Sequence, residues 1–515
     1  MIVALSATRA SGYPVGPAVA LEQLAKTADL VCKATVVADR PTTDAWFEPL
    51  PGFEVRDTEL RVVSVVKGGK GVKVVHFHHY APTSGPAMYA PQSYRFTTGR
   101  SYLVFAAKGT GGGYRQVAKS HTSKEDQGVM LAADARPHRG KTITEVVWAE
   151  LQALLASKTS DDVVTAIAQI DQMSGGRDTG LSDFARPVAL AAIRPMIAST
   201  DTAIATAAIT VFGADSPYFV DADAAYWLAG IGKGTIPGIG PRTPTQHPTA
   251  DVAVKELIAV ADGATSAELR GLAIRALGRS HAIPAATIER WSHDRDPAIR
   301  RAAVLVSAEL ADHTVITATR TDASEAVRHA VALAIGFSQD PALVPLLGPL
   351  LQDASRSVRM AAAMSLLAFA PADAAPMMKA NLSSDFRPLF VNALARRDPQ
   401  PYLAMLAEVI EKHLQPSAWW GGTIPAGDSW KILFDYVKAR PAAELTAGKL
   451  DASLDALEKM QWFSSSEPRD LYALYLRRGL PARAKRFRAA VRKSVTYDMD
   501  YYFDMADKDP STFVP

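Results

Sequence analysis

Two histidines separated by one residue are the side chains in this chain best suited to metal chemistry. His76 and His78 lie in the run Val72–Tyr80, whose β-branched and aromatic residues predict a strand. Alternation along a strand places both imidazoles on one face, where they can share a metal ion. A zinc site needs a third or fourth ligand, and His121 and His138 have no predictable position. The pair is therefore either a weak metal site of a metal-dependent enzyme or, as we favour, two solvated strand histidines.

No other motif indicates catalysis. The segment Gly230–Thr235 imitates a phosphate-binding loop, but Gly234 follows Lys233 where that loop requires Ser or Thr. Residues 230–250 contain five glycines and four prolines, which predicts an irregular loop that is either functional or a spacer. The sequence contains no Gly-x-Ser-x-Gly, no His-Glu-x-x-His and no nucleotide fingerprint. We therefore expect no catalytic residue, no cofactor and no enzymatic activity.

The elements that would position any site are predicted by a recurring arginine. Five arginines are spaced 30, 28, 31 and 28 residues apart: Arg270, Arg300, Arg328, Arg359 and Arg387. A period of about 30 residues indicates a stack of helical units that bury their apolar faces against one another. Predicted helix N-caps precede the arginines: Ser266, Asp296, Ser324, Ser355 and Ser383. We interpret the arginines as a structural ladder bonded to neighbouring carbonyls or carboxylates, with an exposed anion-binding row as the alternative.

The repeats resemble the short bacterial HEAT-like repeats, whose second helix carries Asp-x-x-(Val/Ile)-Arg near its start. Asp296-Pro-Ala-Ile-Arg300 is the best match, and Ser324 and Ser355 replace the aspartate in later units. The resemblance covers residues 250–400 well and 160–230 weakly. It implies an α-solenoid that binds another protein or peptide; nucleic-acid-binding and bilin-lyase relatives supply alternative functions. Partner contacts are predicted at positions that vary between units, above all Arg275 and Glu309.

Residues 11–140 have the composition of a β domain. Short β-branched or aromatic runs alternate with Gly, Pro, Asp and Ser clusters, which predicts a sandwich or barrel. Val65-Val-Lys-Gly68 and Gly99-Arg-x-Tyr102-Leu-Val-Phe105 resemble the netrin-like domain, an OB-type antiparallel barrel shared with tissue inhibitors of metalloproteases. In the inhibitors, a mature N-terminal cysteine binds the protease zinc. Cys32 is the only cysteine of this chain, so that mechanism is not implied here.

Composition excludes several classes of protein. The 56 basic and 53 acidic residues nearly balance, so the whole chain has no signature of polyanion binding. Cys32 permits neither an internal disulfide nor a cysteine-based metal cluster, and its apolar run indicates a small buried side chain. No run of about 18 uncharged apolar residues predicts a membrane span.

The first ten residues end in Thr-Arg-Ala, close to the small-x-small rule for signal-peptidase cleavage. They are either the remnant of a truncated signal peptide, which we favour, or an ordinary N-terminus. A signal remnant predicts a periplasmic or secreted protein; the cytoplasm is the alternative.

Aromatic and charged residues follow the predicted solenoid. Trp419 and Trp420 lie in a Gly/Pro-rich stretch and either seal the end of the stack, which we favour, or form a stacking platform. Residues 477–493 contain eight basic residues and no acid, and an acidic aromatic tail follows. We expect the basic helix to pair with this tail, with nucleic-acid binding along 477–493 as the alternative.

These observations predict a multidomain α and β protein. Residues 1–10 are the signal remnant, 11–140 the barrel, 141–415 the solenoid with its 230–250 loop, and 416–515 a helical cap. The favoured function is a non-catalytic binding scaffold whose partner is another protein, with no nucleic acid, no cofactor and no transmembrane segment. We expect barrel and solenoid to fold separately, with limited proteolysis cutting within 132–142.

Overall fold

The chain forms two compact units in the computed structural model. Unit 1 contains residues 1–219 and 246–306, and unit 2 contains residues 220–245 and 307–515. The structure describes residues 19–49, 53–69, 71–82, 93–117, 128–175, 181–213, 249–278, 280, 282–308, 313–369, 371–412, 423–459, 466–494 and 500–512. No helix in this described part combines the length and apolarity needed to cross a membrane.

Unit 1 begins with a closed five-stranded barrel. A short helix, α1 (Leu21–Thr27), precedes the strands β1 (Leu30–Pro41), β2 (Phe53–Lys67), β3 (Val74–Pro82), β4 (Ser101–Lys108), β5 (Tyr114–Gln116) and β6 (Val129–Leu131). The order is β1-β2-β3-β5-β4, β4 pairs back with β1 to close the barrel, and β6 is added to β4. The predicted β-barrel is confirmed. It is not wholly antiparallel, because β3 and β5 pair in parallel.

Strand β1 is buried on both faces. Its alternate residues Leu30, Cys32, Ala34 and Val36 belong to the apolar core inside the barrel. In the first half of the strand the outward residues Val31, Lys33 and Thr35 are also buried, whereas Val37 further along is exposed. Because strand side chains alternate between faces, a strand buried on both sides needs a second layer outside the barrel, and the helices of unit 1 provide it.

The burial of Cys32 makes its thiol unreactive. The side chain is fully buried, and burial raises the pKa of the thiol to about 12. Because the thiolate is the nucleophile, we expect a maleimide to leave the native protein unmodified over hours and to label it fully in denaturant. Intact-mass spectrometry reports both states. Rapid labelling under native conditions would contradict the closed barrel.

Helices follow the barrel strands in unit 1. The first, α2 (Ile143–Leu155), starts with a capping box in which Glu145 N donates to Thr142 Oγ1 over 3.2 Å and the Glu145 carboxylate accepts from Thr142 N. The others are α3 (Ser160–Met173), α4 (Arg186–Ile193), α5 (Thr202–Phe212), α6 (Val254–Gly263), α7 (Ala267–Ala276), α8 (Ala285–Ser292) and α9 (Pro297–Ser307).

Polar contacts join the barrel to these helices. Lys33 of β1 is 1% exposed and its ammonium lies 2.6 Å from the Glu150 carboxylate of α2 and 2.9 Å from Asp134. The backbone N–H of Leu21 donates to Asp183 Oδ1 over 2.9 Å, and Arg100 pairs with Asp162 of α3. The segment 132–142 takes part in these contacts, since Ala133 N donates to Glu150 Oε2. Barrel and helices therefore belong to one compact unit, and these contacts favour joint rather than separate folding.

Unit 2 consists of helices in its described residues. They are α10 (Thr314–Thr319), α11 (Glu325–Ser338), α12 (Leu347–Leu350), α13 (Arg356–Ala368), α14 (Pro371–Ala380), α15 (Arg387–Ala395), α16 (Leu403–Lys412), α17 (Thr423–Lys438), α18 (Ala442–Thr446), α19 (Asp451–Lys459), α20 (Ser466–Arg477), α21 (Pro481–Ser494) and α22 (Asp500–Lys508). Ala330, Ala332 and Ala334 of α11 and the alanines of α13 are buried and allow a close approach, so that Ser365 Oγ donates to the Ala332 carbonyl over 2.7 Å. The predicted stack of helices is confirmed.

Candidate functional site

The recurring arginines make recurring contacts. One guanidinium nitrogen donates to the carbonyls six and five residues earlier: over 2.9 and 3.2 Å from Arg300, 2.7 and 3.2 Å from Arg328, and 2.8 and 3.0 Å from Arg359. Four of the five arginines also pair with a carboxylate further along the chain: Arg270 with Asp294, Arg328 with Asp353, Arg359 with Asp385, and Arg387 with Glu408. These contacts are those of a structural ladder.

The acidic partners of the ladder are a periodic feature that the sequence analysis missed. Asp294, Asp322 and Asp353 each lie six residues before a ladder arginine. One carboxylate oxygen of each accepts the backbone N–H two residues later over 2.8 Å and so shapes the turn before the helix. The second oxygen of Asp353 accepts Arg328 Nε over 2.7 Å, and this bond lowers the pKa of Asp353. The recurrence of an aspartate six residues before an arginine is visible in the sequence and could have predicted this role.

Three of the predicted N-caps do not make a cap bond. Leu269 N donates to Ser266 Oγ and Ala298 N donates to Asp296 Oδ1, as expected. Ser324 and Ser355 occupy the cap position without a side-chain cap bond. Their turns are instead held by the aspartate two residues earlier. The prediction for Ser383 is wrong, because the residue at the N-cap before Arg387 is Phe386.

The histidines of β3 differ in environment. His76 is exposed, and its Nδ1 lies 2.9 Å from Asp57 Oδ2. His78 is buried under the Trp46 indole, with ring centroids 4.4 Å apart, and its Nε2 lies 2.7 Å from Asp44 Oδ2. The hydrogen bond from His78 lowers the pKa of Asp44. The prediction of a solvated face is therefore wrong for His78, since the loop carrying Trp46 covers it.

The two histidines share Asp57 as a neighbour. His78 Nδ1 and Asp57 Oδ1 are 3.7 Å apart, and both atoms are buried without a hydrogen-bond partner in the described part of the chain. Among the described residues, no three His, Cys, Asp or Glu side chains are arranged to hold a metal ion. His121 lies outside the described residues, and His138 bonds Ser64 Oγ through both its backbone N–H and its ring.

The predicted pairing of the basic C-terminal helix with acidic neighbours is confirmed. Arg488 of α21 contacts three aspartates of α22: Asp500, Asp504 and Asp507. Arg483 contacts three acids of α19: Asp451, Asp455 and Glu458. Arg492 also contacts Asp500. These arginines are occupied by protein carboxylates, which weakens the nucleic-acid alternative for residues 477–493.

Of the four predicted partner residues, only Arg275 lies in the described part of the chain. Glu309, Trp419 and Trp420 lie outside the described residues, as do residues 1–10 and 230–248. Arg275 is half-buried, with an inaccessible Nε. Met364 and Asn392 of the arginine-bearing helices are buried, and Ser429 Oγ of α17 donates to the Asn392 side-chain oxygen over 2.5 Å. The packing of further helices on the arginine-bearing layer explains their burial.

A groove in unit 2 was not predicted. Two cavities of about 550 and 380 Å³ open on its surface and share Arg396, and we call them together the Arg396 groove. The larger cavity lies between the end of α15 with its following turn and the last turns of α17, and includes Asp398, Tyr436 and Arg440. The groove is thus at the C-terminal ends of α13, α15 and α17, whereas Arg359 and Arg387 lie in the first turns of α13 and α15.

The smaller cavity of the Arg396 groove is apolar. Leu367 and Phe369 from the end of α13, Met378 from α14 and Leu394 from α15 line it, and Arg397 lies at its rim. Met378, Phe369 and Leu394 are mostly covered by their neighbours, so the cavity has fixed walls.

The larger cavity contains Arg440, which pairs with no carboxylate among the residues that the structure describes. The Arg440 guanidinium carbon lies 4.6 Å from the centroid of the Tyr436 ring, and the Tyr436 hydroxyl donates to Gln400. Arg440 Nε is buried and has no hydrogen-bond partner in the described part of the chain. The Arg396 guanidinium is 3.1 Å from Asp428, and Asp435 is 3.0 Å from Lys431. The Tyr436 ring therefore lies against the Arg440 guanidinium, and no carboxylate among the described residues of unit 2 pairs with it.

A family model for HEAT repeats matches residues 313–397, which confirms the predicted HEAT-like repeats in this part of unit 2. A search of curated proteins returned no match.

Solved structures of repeat proteins also align with the chain. The X-ray structure of YibA from Escherichia coli is 14% identical, with 59% of this chain and 91% of that one covered and a TM-score of 0.29. Computationally designed armadillo repeat proteins for modular peptide recognition are 16% identical (44% and 84% covered, TM-score 0.24). A designed armadillo repeat protein in complex with the peptide (KR)4 is 15% identical (55% and 97% covered, TM-score 0.23).

Proposed function

We propose that this chain is a non-catalytic binding protein that holds a segment of another protein on the surface of unit 2. The observation that carries the proposal is the Arg396 groove, two adjoining cavities with fixed walls within a stack of HEAT-like helices. A small number of placed polar groups beside apolar walls is the usual character of a ligand site.

The same observations argue for binding more than for chemistry. The ladder arginines, the β3 histidines, and Arg483, Arg488 and Arg492 of α21 are engaged with carbonyls, carboxylates or hydroxyls of the chain itself. The donors of the Arg396 groove are arginine nitrogens, which stay protonated. They can orient and hold a partner, whereas general acid–base work requires a group that exchanges a proton near the working pH.

Site-specific photo-crosslinking tests this function in the cells that produce the protein. A benzophenone amino acid at the exposed Arg397 position should form a discrete adduct with a different protein. The same amino acid at Arg136, which is 78% exposed on unit 1, should give no such adduct. Adducts with copies of this chain alone, or none at position 397, would contradict the proposal.

We further propose that the protein works outside the cytoplasm. The support is the sequence Thr8-Arg9-Ala10, which is close to the small-x-small rule for signal-peptidase cleavage. Cell fractionation followed by N-terminal sequencing of the mature protein tests this location. A cytoplasmic protein that keeps Met1 would contradict it and would leave the binding function unaffected.

A further inference from the structure

We propose that the Arg396 groove binds an extended peptide segment that carries a large apolar side chain close to an acidic one. The proposal rests on the proposed function and names the chemistry of the bound segment. The apolar side chain fills the smaller cavity, and the carboxylate pairs with Arg440 in the larger one.

The smaller cavity selects an apolar side chain. Its volume of about 380 Å³ is enclosed by Leu367, Phe369, Met378 and Leu394 from three helices. The apolar surface that stays open to water belongs to the half-buried Leu367, Ala375 and Ala393, and another apolar group covers it favourably. The buried walls Phe369, Met378 and Leu394 lose little freedom when that group enters. A leucine, methionine or phenylalanine of a partner fits this chemistry.

The larger cavity selects a carboxylate. Arg440 is half-buried and forms no ion pair with the described residues of unit 2, so its guanidinium is left to pair with a carboxylate that enters the cavity. The Tyr436 ring centroid lies 4.6 Å from the guanidinium carbon and restricts the movement of the Arg440 side chain before a carboxylate arrives. The open cavity admits a continuing chain, so the carboxylate belongs to an aspartate or glutamate within the segment.

The charges around the groove agree with an acidic segment. Arg396 is paired with Asp428, and Asp435 is paired with Lys431. Of the remaining charged residues that line the two cavities, Arg397, Asp398 and Arg440 make no ion pair in the described part of unit 2, which leaves one net positive charge. Asp398 can accept a backbone N–H of the same segment, as carboxylates in binding sites commonly do.

A peptide display selection on the immobilised full chain tests the proposal. The probe is a library of random peptides about a dozen residues long, selected in parallel on the wild type and on three variants. Arg440→Glu reverses the charge that pairs with the carboxylate of the peptide. Ala375→Phe fills the apolar cavity that Ala375 lines. Lys379→Glu changes an exposed charge of α14 outside both cavities and serves as the matched control.

We expect the wild type and Lys379→Glu to enrich the same peptides, in which an aspartate or glutamate recurs at a fixed distance from a large apolar residue. Arg440→Glu should enrich lysine or arginine at the acidic position, a gain that a misfolded variant cannot produce. Ala375→Phe should bind the wild-type peptides at least about tenfold more weakly. Failure of the wild type to enrich any consensus, or an unchanged acidic preference in Arg440→Glu, would overturn the proposal. If crosslinking at position 397 yields an adduct but the selection yields no such consensus, the proposed binding function is supported and the proposed peptide chemistry is wrong.

Discussion

Replacing Lys33 with methionine will lower the free energy of unfolding of unit 1 by about 3–5 kcal/mol, the usual cost of removing one partner from a buried ion pair. Lys33 is 1% exposed and lies between Glu150, at 8% exposure, and Asp134. Without the ammonium, the Glu150 carboxylate stays buried beside a methyl group. Because Glu150 belongs to α2 and Lys33 to β1, the loss will appear in the barrel and in the helices together.

Hydrogen exchange measured by mass spectrometry on peptides from β1 and α2 gives the size of this effect. Lys73→Met is the matched control, since Lys73 is exposed and its ammonium bonds no residue in the described part of the chain. The double variant Lys33→Met with Glu150→Gln removes the unpaired charge and should recover part of the loss. An effect confined to β1, with α2 unchanged, would show that barrel and helices fold separately.

Replacing Arg328 with glutamine will destabilise unit 2 by about 1–3 kcal/mol, because the variant leaves the partners of a half-buried guanidinium unsatisfied. Arg328 donates to Asp353 over 2.7 and 3.0 Å and to the Asp322 carbonyl over 2.7 Å. Lys379→Gln removes an exposed charge from the same unit and should have little effect. Urea unfolding of both variants measures the difference.

The Arg328 contact also predicts how stability depends on pH. The hydrogen bond from Arg328 lowers the pKa of Asp353 below the value of about 3.9 that an unfolded aspartate has. A carboxylate with a lowered folded-state pKa contributes stability above its unfolded pKa and loses it as the pH falls through the folded value. Stability of the wild type should therefore fall as the pH drops below about 4, and this fall should be smaller in Arg328→Gln. Equal acid dependence in both proteins would contradict the assigned role of the pair.

The stack of helices and the β-barrel could both be predicted, because the sequence patterns that indicate them lie within short stretches of the chain. The arginines of unit 2 recur every 28–31 residues, and each repeat carries its own cap or aspartate. In the barrel, β1 alternates Leu30, Cys32 and Ala34 toward the core, and this period of two is visible in any short window.

The features that escaped prediction depend on distant contacts. The burial of Lys33 was not predicted, because the helix that covers this face of β1 lies more than a hundred residues away in the sequence. His78 of β3 is buried by Trp46, which belongs to the loop between β1 and β2. The Arg396 groove combines residues from α13 to α17, none of which is unusual in its own helix.

The most direct test of the account is a charge exchange between Arg440 and the acidic residue of a peptide enriched by display. Dissociation constants are measured by fluorescence anisotropy for the wild type and Arg440→Glu, each with the acidic peptide and with its lysine counterpart. We predict that each mismatched combination binds at least about tenfold more weakly than the wild-type pair, and that the doubly exchanged pair regains most of the affinity. Four equal dissociation constants, or a doubly exchanged pair no tighter than the mismatched ones, would contradict a binding site at the Arg396 groove.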